Sequence, residues 1–226
     1  MKIPQGTSAL TVSADCGCNK MFTILGNQGG AIQNLIIKLG SQGSCAAAIV
    51  NALAVIISIS LKAGVPADSI AKLCKFDRGQ CHMDGENPTC IAALGNILAE
   101  YGPSEESDSI YGVPMSMDGK KRTMSIGCGL ISVHCFNDSD SNLREVSAEL
   151  AQTNTCANTI TKMIGKLITL ALCFEVSAAD IAAGLRGIRC PAAKGDCTSC
   201  LDAIGRALQL HEGINPDELA NQREAA

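Results

Sequence analysis

The sequence predicts an α+β protein built by internal duplication, in which two pseudo-symmetric copies of a β-β-α-α-α module follow one another. Two observations predict this class. Eight of the thirteen cysteines fall into two quartets with similar intervals, and the same succession of apolar runs and turn residues surrounds each quartet. Self-similarity of this kind is typical of a structural unit that the chain repeats.

The cysteine intervals are the strongest evidence for duplication. The quartets are Cys18, Cys45, Cys81 and Cys90 in the first copy, and Cys128, Cys156, Cys190 and Cys200 in the second. Successive members are 27, 36 and 9 positions apart in the first copy, and 28, 34 and 10 positions apart in the second. Residues 88–98 and 198–208 also match, with Cys, Ala, Gly and Leu in register.

Each copy opens with two predicted strands. In the first copy, apolar runs at 20–25 and 31–39 flank a short segment rich in Gly and Asn, which is typical of a hairpin turn. In the second copy the corresponding turn is 137–141, which is rich in Asn, Asp and Ser. The sequence therefore predicts one hairpin at the start of each copy.

Three predicted helices follow each hairpin. Ser44 and Thr155 are suitable N-caps for a long apolar helix, because a hydroxyl there accepts a hydrogen bond from the first helical turn. The long helix is predicted to end near Lys62 in the first copy and near Phe174 in the second. The predicted starts of the remaining helices are Pro66 and Thr89 in the first copy, and Ser177 and Ser199 in the second.

The chain divides into five predicted segments. They are an N-terminal arm at 1–12, a first module at 13–102, a linker at 103–121, a second module at 122–212 and a polar C-terminal tail at 213–226. The linker is identified by its Ser, Glu, Asp, Gly and Pro content and its lack of hydrophobic periodicity.

Composition argues against nucleic acid as a partner. The formal net charge is −4, and aromatic residues make up 3% of the chain. The protein therefore offers neither a basic surface for phosphates nor aromatic platforms for base stacking.

The cysteines indicate a reducing environment. Thirteen cysteines cannot all pair within one chain, because their number is odd. The first residues contain no apolar stretch of the kind that a signal peptide requires. We therefore expect a cytoplasmic protein whose cysteines are metal ligands or small core residues; Cys74 and Cys173, in apolar helical stretches, are predicted to be core residues.

One uncharged stretch, 39–61, is long enough to cross a bilayer. Its counterpart in the second copy carries Lys162 and Lys166, which a membrane span would not accommodate. Both stretches are compatible with a buried helix, so we expect no association with a membrane.

Each quartet supplies the four thiolates of a tetrahedral zinc site. Two cysteines of each quartet stand at predicted helix starts, where the helix dipole favours thiolate over thiol. A zinc ion would join the hairpin to the helices in a module of about 90 residues, whose small core gains from such a link. We therefore expect two zinc ions per chain, with buried thiols and redox-active pairs as the alternatives.

Cys197 and Cys200 are candidate redox residues, because they form the one Cys-x-x-Cys pair in the chain. The polar loops before the long helices are candidate anion or ligand sites, since backbone N–H groups at a helix start bind phosphate. The loop residues are Ser41, Gln42, Gly43 and Ser44, and Thr153, Asn154 and Thr155. The same residue types are ordinary helix caps, and the loops have no Lys of the kind that a P-loop requires.

Residues 187–190 (Gly-Ile-Arg-Cys) and 198–204 (Thr-Ser-Cys-Leu-Asp-Ala-Ile) resemble the TSCPD domain. This domain occurs near the C-terminus of adenosylcobalamin-dependent ribonucleotide reductases and in short stand-alone proteins. The resemblance covers nearly all of 13–212, taken as two copies, and the second copy is the more similar. It implies a link to nucleotide metabolism but no reductase activity, since the chain has no room for the catalytic barrel of the reductase.

The two copies depart from the family signature differently. In the second copy Leu201 replaces the Pro of the signature, whereas Asp202 keeps its acidic residue. In the first copy Ile91 and Ala92 replace both. The copies are therefore expected to have specialised.

Three functions fit these features. The first is a non-enzymatic zinc-binding protein that recognises a nucleotide-type small molecule or a protein partner in nucleotide metabolism. The second is a thiol-disulfide carrier that uses Cys197 and Cys200, and the third is a structural or oligomerising module, which allows a homo-oligomer. No Ser-His-Asp or Cys-His constellation is evident, so no catalytic residue is assigned.

Overall fold

The computed structural model describes residues 8–16, 20–28, 30–40, 45–75, 87–102, 118–153, 155–193 and 197–216. We refer to 8–102 as copy one and to 118–216 as copy two. The elements of copy one are β1 (Ser8–Asp15), β2 (Lys20–Gln28), β3 (Ala31–Leu39), α1 (Cys45–Lys62), α2 (Ala67–Lys75) and α3 (Cys90–Tyr101). Those of copy two are β4 (Asp118–Ile126), β5 (Gly129–Asn137), β6 (Leu143–Leu150), α4 (Cys156–Cys173), α5 (Ala178–Leu185) and α6 (Cys200–His211).

The described residues form two antiparallel three-stranded sheets with the orders β1-β2-β3 and β4-β5-β6. A shift of register occurs at the same place in both, between Gly26 and Asn27 in β2 and between Phe136 and Asn137 in β5. The equivalent irregularity confirms that the chain is a duplication of one α+β module.

Each module has one more strand than the sequence analysis predicted, so the order is β-β-β-α-α-α. β1 lies largely within the predicted N-terminal arm, and β4 begins inside the predicted linker, so the modules begin no later than Ser8 and Asp118. Along β1 only Val12 and Ala14 are even half-buried. Leu10, Val12 and Ala14 do alternate with polar residues, but the alternation is short, and the prediction of an N-terminal arm overlooked it.

The long helices pack beside the free edges of the sheets, α1 against β3 and α4 against β6. The Ser58 hydroxyl accepts a hydrogen bond of 2.9 Å from the Leu35 N–H, and the Thr169 hydroxyl accepts one of 3.0 Å from the Val146 N–H. These side chains satisfy backbone groups that an edge strand otherwise leaves unpaired.

The predicted cap Thr155 is confirmed: its hydroxyl accepts a hydrogen bond from the Asn158 N–H at 3.1 Å. The hydroxyls of Thr89 and Ser199, at the predicted starts of the last helices, likewise accept from the backbone N–H three residues later, at 3.0 and 3.1 Å. Ser177 caps α5 in the same way. The predicted cap Ser44 lies outside the described residues.

The two copies share one continuous apolar core, in which α1 packs against α4 and α5. A Cβ atom at Gly184 of α5 would lie 2.7 Å from Cδ1 of Ile59 in α1, so glycine permits this close approach. By length and composition α4 could cross a membrane, but 67% of its apolar window is buried inside the molecule. It therefore serves as the core helix that the sequence predicted.

Candidate thiolate site at the start of the last helix

Cys200 is the first residue of α6, and its side chain is 4% exposed. The backbone N–H groups of Cys200 and Leu201 point towards its sulfur and favour the thiolate. Burial outweighs them: the poorly solvated position, together with the nearby thiols of Cys128 and Cys190, raises the pKa of Cys200 to about 12. Two other members of the predicted second quartet, Cys128 and Cys190, therefore act electrostatically on Cys200.

These three cysteines come from three separate parts of copy two. Cys128 lies in the two-residue turn between β4 and β5, and Cys190 lies in the loop that follows α5; both side chains are half-buried. The fourth member, Cys156, is half-buried at the first residue of α4. The convergence of turn, loop and helix start is a consequence of the tertiary fold.

The loop that carries Cys190 is folded back onto the start of α6. The Cys190 N–H donates to the Thr198 carbonyl at 3.0 Å, and the Thr198 hydroxyl donates to the Ile188 carbonyl at 3.1 Å. These two bonds join the outgoing and returning arms of the loop beside Cys200.

Asp202, in the first turn of α6, organises the same region. Its carboxylate is 3% exposed and accepts hydrogen bonds from the Arg186 guanidinium at 2.9 Å and from the backbone N–H groups of Gly187 and Thr198, each at 3.1 Å. The sequence analysis noted this acid as part of a signature but assigned it no role. Asp202 lies three residues after the N-cap Ser199, and the preceding loop begins with Arg186 and Gly187. An acid in the first turn of a helix, with an arginine in the preceding loop, is a sequence signal that could have indicated an ion pair.

Copy one is described less completely at the equivalent place. Cys90 is the first residue of α3, as Cys200 is of α6, and it is also buried, with 8% of its surface exposed. Of Cys45 only the backbone is described, at the start of α1, and Cys18 and Cys81 lie outside the described residues. Ala92 occupies the position of Asp202, so the carboxylate has no counterpart in this copy.

The part of the chain that the structure describes contains no group of three or more His, Cys, Asp or Glu side chains placed to hold a metal ion. The proximity of Cys128, Cys190 and Cys200 is therefore that of neighbouring thiols, without a closed set of ligands. The zinc sites stay a prediction.

The candidate redox residues Cys197 and Cys200 are both buried thiols, and Cys197 is 2% exposed. Burial and a raised pKa oppose formation of the thiolate that attacks a disulfide. The predicted core residue Cys74 is fully buried, whereas Cys173 is exposed at the end of α4, so its prediction as a core residue is wrong. A helix end exposes side chains that the interior of the same apolar helix would bury.

Of the candidate anion-binding residues, the structure describes Thr153 and Thr155. The Thr155 hydroxyl accepts from the Asn158 N–H at 3.1 Å and donates to the Gln152 carbonyl at 3.3 Å. It therefore functions as a helix cap. The other candidates, Ser41, Gln42, Gly43, Ser44 and Asn154, lie outside the described residues.

Comparison with protein families finds the same module twice. The family model of the TSCPD domain matches residues 2–102 and 107–212, which together cover most of the chain and coincide with the two structural copies. No curated protein and no solved structure matches the chain. The chain belongs to the TSCPD domain family, as a tandem of two such domains.

Proposed function

We propose that this tandem TSCPD protein is a non-enzymatic zinc-binding protein, in which copy two binds one zinc ion through Cys128, Cys156, Cys190 and Cys200. The observation that supports the proposal is that Cys128 and Cys190 both raise the pKa of Cys200. The three thiols come from a turn, a loop and a helix start, and thiolate sulfur is the donor chemistry that Zn²⁺ selects.

The raised pKa of Cys200 is consistent with this role. Burial and two neighbouring thiols make ionisation of Cys200 unfavourable by itself, because the charge is poorly solvated and adjacent thiolates repel one another. A divalent cation reverses this balance, since a coordinating thiol is deprotonated outright. Zinc binding would therefore release protons and stabilise the folded module at the same time.

The elements leave room for the adjustment that ligation requires. Cys128 and Cys190 lie in a turn and a loop and are half-buried, and each side chain has three staggered χ1 rotamers from which a metal ion would select one. Cys156 begins α4 and would complete a tetrahedron.

By the symmetry of the duplication, Cys18, Cys45, Cys81 and Cys90 would bind a second ion in copy one. A stoichiometry of two zinc ions per chain follows. Each ion would join the hairpin of its module to the helices.

We further propose that the zinc-stabilised tandem recognises a nucleotide-type ligand or a protein partner in nucleotide metabolism. The support is membership of a family whose domain also occurs in ribonucleotide reductases. A thermal-shift panel of nucleotides tests the small-molecule form of the proposal: a rise in melting temperature with one nucleotide supports it, and no shift with any nucleotide leaves the protein-partner form to be tested by co-purification with reductase components.

Elemental analysis of protein purified without added metal tests the zinc proposal. We expect close to two zinc ions per wild-type chain and close to one in Cys200→Ser. Cys173→Ser is the matched control, because Cys173 is an exposed thiol outside both quartets, and it should retain both ions. Wild-type protein without zinc that does not take up added Zn²⁺ would overturn the proposal.

Thiol counting with and without reductant distinguishes the alternative function, a redox carrier that uses Cys197 and Cys200. A carrier gains two titratable thiols on reduction, whereas a zinc protein gains none but releases thiols on chelation. A gain of two thiols on reduction would therefore assign Cys197 and Cys200 to redox chemistry, and a release of thiols on chelation would indicate zinc binding.

A further inference from the structure

The carboxylate of Asp202 connects both ends of the loop that carries Cys190. Gly187 stands at the outgoing end of the loop and Thr198 at the returning end, and both backbone N–H groups donate to this carboxylate at 3.1 Å. Cys190 lies between them, and its own N–H donates to the carbonyl of Thr198. The loop is therefore closed around a single buried anion.

Two arginines balance the charge of this carboxylate. Arg186 Nε lies 2.9 Å from one carboxylate oxygen, and Arg206 Nε lies 3.8 Å from the other. The side chains of Asp202, Arg186 and Arg206 are 4%, 15% and 21% exposed. A buried carboxylate is tolerated when it is paired and hydrogen-bonded in this way, and charge-assisted bonds fix geometry more strongly than neutral ones.

The Arg186 side chain is itself held at both ends. Its aliphatic part lies against Gly205, where a Cβ atom would be 3.0 Å from Arg186 Cδ. Its Nη1 donates to the Gln209 side-chain oxygen at 2.6 Å. The guanidinium therefore presents its Nε–H to Asp202 in one orientation.

Copy one has no carboxylate at the position equivalent to Asp202. Lys75 and Ala92 replace Arg186 and Asp202, while Gly95 keeps the place of Gly205. The close packing of the two helices is retained, since a Cβ at Gly95 would lie 3.0 Å from the Ala71 carbonyl oxygen. At the position of Asp202, copy one therefore has a methyl group in place of the carboxylate.

We propose that Asp202 is a positioning residue that holds Cys190 beside Cys200, so that copy two presents a preorganised thiol site by means of a carboxylate that copy one, with Ala92, does not have. This inference rests on the proposed zinc-binding function. Preorganisation lowers the cost of assembling ligands, so the site of copy two binds zinc more tightly than the site of copy one.

Competition with a chromophoric chelator, applied to the full chain, tests the difference in zinc affinity. In Asp202→Asn we expect affinity at the tighter site to fall by about 10- to 100-fold, the usual effect of losing a residue that orients a ligand, and affinity at the weaker site to be unchanged. The matched control is Asp138→Asn. Asp138 also accepts from two backbone N–H groups and an arginine, in the turn before β6, and should leave both affinities unchanged.

A second readout needs no metal. Diamide oxidises two neighbouring thiols to a disulfide and is itself reduced to the hydrazine, so its reaction with chelator-treated protein reports how close two cysteines are held. We expect the Cys190–Cys200 disulfide, mapped by mass spectrometry, to form several-fold more slowly in Asp202→Asn than in wild type or Asp138→Asn. Wild-type protein that binds no zinc would end the zinc proposal, whereas this rate would still test the positioning role.

Equal zinc affinities and equal disulfide rates in folded Asp202→Asn and wild type would overturn the inference. If Asp202→Asn does not fold, Asp202→Glu provides the test. It keeps the negative charge opposite both arginines but displaces the carboxylate from the N–H groups of Gly187 and Thr198. A folded Asp202→Glu with weaker zinc binding and slower disulfide formation supports the role, and wild-type behaviour contradicts it.

Discussion

Gly165 of α4 and Ala54 of α1 occupy equivalent positions in the two copies, four residues before the hydroxyl that binds the neighbouring edge strand. A Cβ atom at Gly165 would lie 2.9 Å from the Val146 carbonyl oxygen and 3.1 Å from the Ala148 nitrogen, both backbone atoms. In copy one the methyl group of Ala54 is present, and a cleft of about 250 Å³ opens between β3 and α1. Glycine at position 165 therefore permits an approach of α4 to β6 that a methyl group would obstruct.

Gly165→Ala is therefore expected to destabilise the protein. The new Cβ meets backbone atoms that cannot rotate away, and overpacking of this kind costs about 1–3 kcal/mol, which exceeds the gain of about 1 kcal/mol in helix propensity. Urea denaturation followed by circular dichroism measures the change in the free energy of unfolding.

The reverse substitution, Ala54→Gly, is the control for that prediction. It should cost the difference in helix propensity, about 1 kcal/mol, and about 0.8 kcal/mol more for the lost methyl group, since Ala54 is buried. A Gly165→Ala variant that is more stable than wild type would show that α4 can move away from β6 without loss.

Removing the Thr169 hydroxyl should also weaken the fold. Thr169→Val keeps the shape of the side chain but leaves the buried N–H of Val146 without its acceptor. An unsatisfied buried donor costs about 1–3 kcal/mol, and the same denaturation measurement detects it. Thr123→Val is the matched control, because the bond of 3.2 Å between the Thr123 and Ser132 hydroxyls is exposed and its loss should change stability by less than about 0.5 kcal/mol.

His211 should make the stability of the protein depend on pH. Burial, followed by the positive charges of Arg122 and Lys120, lowers the pKa of His211, and Glu212 opposes this shift. Its Nε2 lies 2.6 Å from the Asn137 side-chain oxygen. A lowered pKa means that the unfolded chain binds the proton more readily than the folded chain does.

The resulting stability is present above the unfolded pKa of about 6.5 and is lost as the pH falls through the lower, folded pKa. Urea midpoints measured between about pH 7.5 and pH 5 should fall more steeply for wild type than for His211→Gln. The other histidines are identical in the two proteins, so the difference isolates His211. Parallel curves would contradict the prediction.

Loss of the Asp202 carboxylate should destabilise copy two, apart from any effect on zinc. Asp202→Ala leaves Arg186 buried without its partner, and breaking a buried pair costs about 3–5 kcal/mol. Removing both charges, in Asp202→Ala with Arg186→Met, should recover part of that loss. A double variant less stable than the sum of the single substitutions would argue against a direct pair.

Much of the fold could be predicted from the sequence, because hairpin turns, caps and apolar helices are local signals. Thr89, Thr155 and Ser199 cap helices where the sequence indicated, since a cap depends on residues only three positions apart. β1 and β4 were missed because they bury little surface: the alternation of apolar and polar residues in each covers only a few positions and is easily taken for an arm or a linker.

The candidate site could be predicted only in part. The spacing of the quartets singled out Cys128, Cys190 and Cys200, which the fold places within electrostatic reach of one another. The exposed position of Cys173 and the hydrogen bonds of Asp202 were not evident, because each depends on what packs around a residue rather than on its neighbours in the chain.

The sequence by itself determined the duplication, the α+β class and the membership of the TSCPD family, since these follow from patterns along the chain. Only the tertiary structure decided that the two copies share one core, and that a buried carboxylate closes the thiol-bearing loop of copy two. The physical reason is that burial and charge pairing arise between segments that are distant in sequence. Two copies with similar cysteine spacing therefore differ at one ion pair, because Asp202 binds Arg186 in copy two and Ala92 replaces the aspartate in copy one.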